Sequence, residues 1–249
     1  MTQAVATTQK DPIKYLTQFK EQMTGLVPAG IRSAYSYDLL LDQLGHRMRN
    51  DKTGKLAKCT ADSLGKAIKN CCLLGLYPGY GADTAEVYFI PYGDQASADI
   101  SYKGLETLIM RSGQFRRIRS EPLWEGDIFE QWDGSDGANF KYIPCGKKEE
   151  LIGAFAMAET HEGDRYIVHM PIDELLEHEK KTRKGQSQSP AWKQWFDRMS
   201  RKTVLKRLFK DIPRTVANQD MNAAMVIDME NAKIQADAND PALLAERMG

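Results

Sequence analysis

The feature that most constrains this chain is a change of hydrophobic period at Pro78-Gly79-Tyr80-Gly81. Before it, apolar residues recur at helical spacing; after it come short β-branched and aromatic runs separated by turn residues; from Pro171 the helical period returns. One stretch of chain cannot serve both periods. Helices, then consecutive strands with short connections, then helices again predict an α+β fold with an antiparallel sheet core between N-terminal and C-terminal helices.

Asp11-Pro12 reads as an N-cap followed by proline at the first helical position, with Tyr15, Leu16, Phe19 and Met23 carrying one helix to about Thr24. A second helix is expected over Ser36 to Met48. A third starts from the Thr60 cap and stops at Gly75. Val87–Ile90 and Ala98–Tyr102 form a hairpin turning at Gly93-Asp94, and Gly104–Ser112 forms a short helix. Strands are predicted over 115–124, 127–132, 139–143, 151–159 and 165–169. A helix then runs from Pro171 to near Lys184, and Gly185 to Pro190 is a mobile polar loop. A single helix is expected from Pro190 through Trp192, Trp195 and Met199 to about Asp211, stopped by Pro213. A last helix covers Val216 to Lys233, ahead of a weakly ordered acidic tail over 237–249.

Hydrophobic residues at 42% and charged residues at 27% are the balance of a folding globular chain. No apolar run approaches the roughly 20 residues that span a bilayer, and the first ten residues lack a signal-peptide pattern, so a cytoplasmic location is expected. Cys59, Cys71, Cys72 and Cys145 contain no C-x-x-C pair, which argues against a zinc ribbon or redox motif, and Cys71-Cys72 read as buried reduced thiols.

Enzyme motifs are scarce. No Gly-Lys pair has the glycine upstream and the Ser/Thr downstream of a P-loop. Gly79-Tyr80-Gly81 starts a dinucleotide fingerprint that Thr84 breaks, and it precedes a strand where it should follow one. The four histidines are scattered. Glu121, Glu125, Asp127 and Glu130 leave open a metal-dependent nuclease, although a solvated acidic face is the simpler reading.

Basic residues carry more information. The formal charge is zero, but from Asp220 onward six acids face two bases, which leaves the rest of the chain positive. Lys103, Arg111, Arg116, Arg117 and Arg119 cluster with aromatic Tyr102 and Phe115, a mixture suited to phosphates and unpaired bases. On the helix before Pro213, Lys202, Lys206 and Lys210 share a stripe with Arg207 at its border, and Val204, Leu205, Leu208 and Phe209 face the other way. Arg201 falls among the apolar positions, so it pairs with a buried acid or reaches a phosphate. Trp192 and Trp195 are either core or a stacking platform.

Several motifs resemble the successive signatures of the RecT family, in that family's order. They are Cys72-Leu-Leu-Gly-Leu-Tyr-Pro-Gly79, Tyr88-Phe-Ile-Pro-Tyr-Gly93, Tyr102-Lys-Gly104, Arg111-Ser-Gly-Gln114, Glu125-Gly-Asp-Ile-Phe129, and Trp192 with Trp195, Met199, Lys202-Thr203 and Arg207-Leu-Phe-Lys210 before Pro213. The resemblance implies a phage-type recombinase that binds single-stranded DNA and anneals complementary strands without ATP. It also implies a fold like that of Red beta, rings or filaments of identical subunits, and a phage exonuclease as partner; contact of the acidic tail with that exonuclease or a host single-strand-binding protein is left open beside the simpler reading of a solubilising tail. The family's Tyr-Arg-Gly appears here as Tyr102-Lys103-Gly104, where lysine supplies a point charge without arginine's bidentate grip.

On this reading residues 1–214 form the annealing and oligomerisation core, and 215–249 add a helix and the acidic tail. The expected DNA contacts are Tyr102, Lys103, Arg111, Arg116, Arg117, Arg119, Trp192, Arg201, Lys202, Lys206, Arg207 and Lys210. No residue is assigned a catalytic or metal-binding role and no cofactor is expected; a dependence on magnesium is left open. The competing readings are the nuclease and an oligomeric protein-interaction scaffold without nucleic acid.

Overall fold

The computed structural model describes residues 12–134, 137–183, 188, 190–213 and 219–238. Most of the Gly185–Pro190 loop, and the tail from residue 239 onward, lie outside the described residues. The chain folds as two compact units, one of residues up to Gly104 together with those from Asn222, the other of Leu105–Met221.

The first unit opens on α1 (Pro12–Thr17) and α2 (Lys20–Gly25), where a single helix is expected. The break has a local cause. The Leu16 carbonyl accepts the Tyr37 hydroxyl at 2.8 Å and the Phe19 amide at 3.1 Å, so a core tyrosine takes the acceptor that an unbroken helix would offer to residue 20. α3 (Tyr37–Asn50) starts from Ser36, whose side chain accepts from the Leu39 amide. α4 (Ala61–Leu74) starts from Thr60, which accepts from Ser63, and ends at Gly75. Leu40, Leu41 and Leu44 of α3 and Leu64, Ile68, Cys71 and Cys72 of α4 form the core.

β1 (Val87–Tyr92) and β2 (Gln95–Ile100) form the expected hairpin; Gly93 sits at φ 63° in its two-residue turn, a conformation glycine adopts without strain. α4 packs on β2. Between helix and hairpin, Arg47 fixes the Pro78–Gly81 loop by donating to the carbonyls of Pro78, Gly79 and Gly81 at 2.8, 3.2 and 3.1 Å. The last helix, α9 (Gln219–Ala238), runs five residues beyond the predicted Lys233. Its residues Ala224, Ile227 and Asn231 are buried at helical spacing, and Asn231 donates to the Ala98 carbonyl at 2.8 Å.

The second unit is an antiparallel sheet of β3 (Phe115–Trp124), β6 (Leu151–Thr160) and β7 (Arg165–Pro171) in the order β3-β6-β7, with the hairpin β4 (Ile128–Gly134) and β5 (Gly137–Ile143). Strand alternation gives this sheet two different faces. On one, Phe155 meets Phe129, Phe140 and Tyr142 of the hairpin at ring separations of 4.8, 5.7 and 5.0 Å. On the other, β6 presents the buried small residues Ala154, Ala156 and Ala158, which let a helix approach closely. α5 (Tyr102–Arg111) leads into β3, and α6 (Ile172–Arg183) follows β7. The predicted helix from Pro190 to Asp211 is two helices, α7 (Pro190–Gln194) and α8 (Phe196–Asp211), divided at Trp195, whose φ and ψ of −135° and 44° leave the helical region.

Candidate nucleic-acid interface

Helix α8 meets two demands on opposite sides. Val204, Leu205, Leu208 and Phe209 are buried, and the helix packs on β3, β6 and β7. Burying each such side chain contributes about 1.5–3 kcal/mol, which anchors the helix on the alanine face. The polar stripe is thereby turned outward: Arg207 and Lys210 are exposed and Lys202 and Lys206 half-buried. A helix held by its apolar side and cationic on the other can contact phosphates without moving.

Arg201 takes the first of its two predicted roles. Its Nε donates to Ser120 Oγ at 3.1 Å, its Nη2 lies 3.5 Å from Glu106 Oε1, and Ser120 Oγ donates to that same carboxylate at 2.6 Å. The guanidinium therefore ties α8 to β3 and α5. These bonds give Arg201 a structural role within the second unit.

The β3 arginines do not join the α8 stripe. Arg119 lies with its guanidinium 4.8 Å from the Tyr142 ring centre and 3.5 Å from Glu121, on the hairpin face of the sheet, whereas Ser120 points to the α8 face. Arg116 donates to Glu159 Oε1 at 2.8 Å, and Arg165, which the sequence reading passed over, donates to the same oxygen at 3.1 Å. The two arginines, through the Arg116 hydrogen bond first, hold the Glu159 carboxyl below the usual glutamate range. Arg117 is exposed beside them, and Arg111 lies 3.8 Å from Asp220. Tyr102 and Lys103 belong to the other unit, where the Lys103 ammonium donates to the Asp83 carbonyl. Gly104 of the same motif has a packing reason: a Cβ there would lie 2.4 Å from the Glu86 carbonyl oxygen.

The break at Trp195 separates the two tryptophans. Trp192 is 6% exposed, with its ring 5.1 Å from Phe196, and belongs to the core. Trp195 is 48% exposed, and the Arg198 guanidinium lies 4.5 Å from its ring centre. The aromatic suited to stacking is thus Trp195 and not Trp192. Three-residue spacing on one continuous helix would have put both rings on one side, so nothing in the local sequence separated them. Arg198 was likewise missed, although its spacing from Trp195 was the signal for the pair.

Three of the four acids of the nuclease reading have partners within the protein. Asp127 accepts the Trp124 amide at 3.0 Å and the Cys145 amide at 2.7 Å; burial pushes its carboxyl up, but these bonds outweigh that and hold it below the usual range. Glu121 pairs with Arg119, and Glu130 lies 3.6 Å from Lys141. Among the described residues no group of three or more His, Cys, Asp or Glu side chains converges as a metal site, and no helix is long and apolar enough to cross a membrane.

The RecT family model matches residues 42–242, which takes in most of both units. The chain belongs to the RecT family. It is 24% identical to Protein RecT of Escherichia coli (strain K12) over 249 residues, covering 96% of this chain and 87% of that protein. It is also 30% identical over 119 residues to the uncharacterized protein YqaK of Bacillus subtilis (strain 168), covering 48% of this chain and 40% of that one. Membership in the RecT family implies annealing of single-stranded DNA in recombination, and the α+β architecture agrees with the expected fold class.

Proposed function

We propose that this RecT-family chain anneals complementary single strands without ATP, as a homo-oligomer, and that the outer side of α8 holds the DNA backbone. The observation that carries this reading is the division of α8 between a buried apolar side and the outward Lys206, Arg207 and Lys210. Cations on a rigid helix neutralise phosphates and leave base edges open, so Watson–Crick pairing with the second strand supplies the sequence test. Trp195 offers a ring for an unpaired base. Annealing is downhill, and the protein's task is to reduce the repulsion between two polyanions. No acid or base is needed. A phage exonuclease that exposes single-stranded tails and a host single-strand-binding protein are the partners this role requires.

The test is fluorescence-detected annealing of two complementary oligonucleotides without ATP, with and without magnesium. It compares the wild type with Arg207→Glu/Lys210→Glu, both at exposed positions, with circular dichroism and thermal unfolding to establish that the variant is folded. Acceleration by the wild type that falls with salt and is lost in the variant supports the reading. No acceleration under any condition overturns it, and a salt-insensitive protein without DNA affinity would be the interaction scaffold instead.

A further inference from the structure

Arg207 already has an anion. Its guanidinium is bonded to the carboxylate of Glu174, which stands one turn before His178 on α6. His178 is exposed on α6, yet the protein crowded around its imidazole, and then the charges of Lys206, Lys210 and Arg207, push its pKa below the usual 6.5, with Glu174 pulling the other way. α6 and α8 both pack on β6 and β7, so Glu174, His178, Lys206, Arg207 and Lys210 line one seam of the second unit. From β7, His169 also feels the Glu174 charge.

We propose that this α6–α8 seam is a phosphate subsite in which Glu174 occupies the place of a DNA phosphate, so that an entering strand displaces Glu174 from Arg207 and His178 takes up a proton. The proposal rests on the placement of the DNA backbone along α8 and adds α6 to the interface. The reasoning is electrostatic. A carboxylate and a phosphate compete for the same planar fork of donors, and only the one bound to the strand brings further contacts with it. With the seam empty, three cations disfavour an imidazolium at His178. A phosphodiester among them reverses the local sign, and the imidazolium then becomes another donor to the backbone. The bound proton comes from solvent, so binding is linked to pH.

The experiment is calorimetric titration of the full chain with oligothymidylate, at a pH near 6.5, in two buffers of different ionisation enthalpy, for the wild type, Glu174→Gln and His178→Gln. Glu174→Gln is expected to bind about two- to fivefold more tightly, the worth of an exposed ion pair removed from competition. The gain should vanish in an Arg207→Ala background. Proton uptake should be present in the wild type and absent in His178→Gln, and the His178 ring signals in NMR should titrate at higher pH once oligothymidylate is bound. Unchanged or weaker binding by Glu174→Gln, or uptake that persists in His178→Gln, overturns the subsite while the annealing reading stands. If the wild type does not bind oligothymidylate at all, both fall together.

Discussion

Arg201 on α8 donates through Nε to Ser120 Oγ on β3 at 3.1 Å, and that hydroxyl in turn donates to Glu106 on α5. Ser120 is buried, and Arg201 and Glu106 keep only about a fifth to a quarter of their side-chain surface. The three elements are therefore locked by a charge-assisted network. Arg201→Ala leaves the Ser120 and Glu106 groups without it and is expected to cost about 1–3 kcal/mol in urea denaturation. Arg201→Lys should recover only part of this, since one ammonium cannot reproduce the fork that serves both partners. A fully stable Arg201→Ala would refute the structural role.

The two tryptophans should separate in experiment. Trp192→Ala empties a core position and is expected to cost about 3–5 kcal/mol of stability. Trp195→Ala should leave the denaturation midpoint nearly unchanged and weaken single-stranded DNA binding by about 1–3 kcal/mol, the worth of one stacked base. Fluorescence quenching by oligothymidylate should persist in Trp192→Phe and be lost in Trp195→Phe.

Gly104→Ala should be severely destabilising, because its Cβ would lie 2.4 Å from the Glu86 carbonyl oxygen and 2.9 Å from Ile100 Cγ2, and the first of these atoms is backbone. Overpacking of this kind costs about 1–3 kcal/mol or more, read as a lowered thermal midpoint. An alanine variant as stable as the wild type would mean that the helix and hairpin part freely here.

Glu159 is 5% exposed beneath Arg116 and Arg165, and its folded-state pKa lies below the ordinary glutamate value of 4.5. A depressed carboxyl stabilises the fold above its unfolded pKa, and the contribution is lost as pH falls through the lower folded value. The stability difference between the wild type and Glu159→Gln should therefore be full above pH 4.5 and shrink below it. A constant difference across that range would show that the arginines do not act on the ionised form.

Much of the fold was legible because periodicity and caps act locally. Ser36, Thr60 and Gly75 mark helix ends by bonds within one turn of chain, and the Gly93-Asp94 hairpin needs only its own two strands. The unbroken first helix was a misreading, because the competing acceptor bond to Leu16 comes from Tyr37, twenty-one residues away. The interface divides in the same way. The stripe on α8 follows from 3.6-residue spacing, and its apolar side is buried as that spacing requires. Whether Arg119 points with or against it depends on which sheet face α8 covers.

The sequence by itself determined the family, the α+β class and the two-sided character of α8, since each follows from residue order and period. Only the tertiary structure decided which acids and hydroxyls the cations meet. Arg201 and Arg116 had their partners chosen by chain crossings, Glu106 and Ser120 in one case and Glu159 in the other, and the kink at Trp195 buried one tryptophan and exposed its neighbour. An ion pair or a packed ring depends on distances between segments remote in sequence, and local periodicity carries no record of those distances.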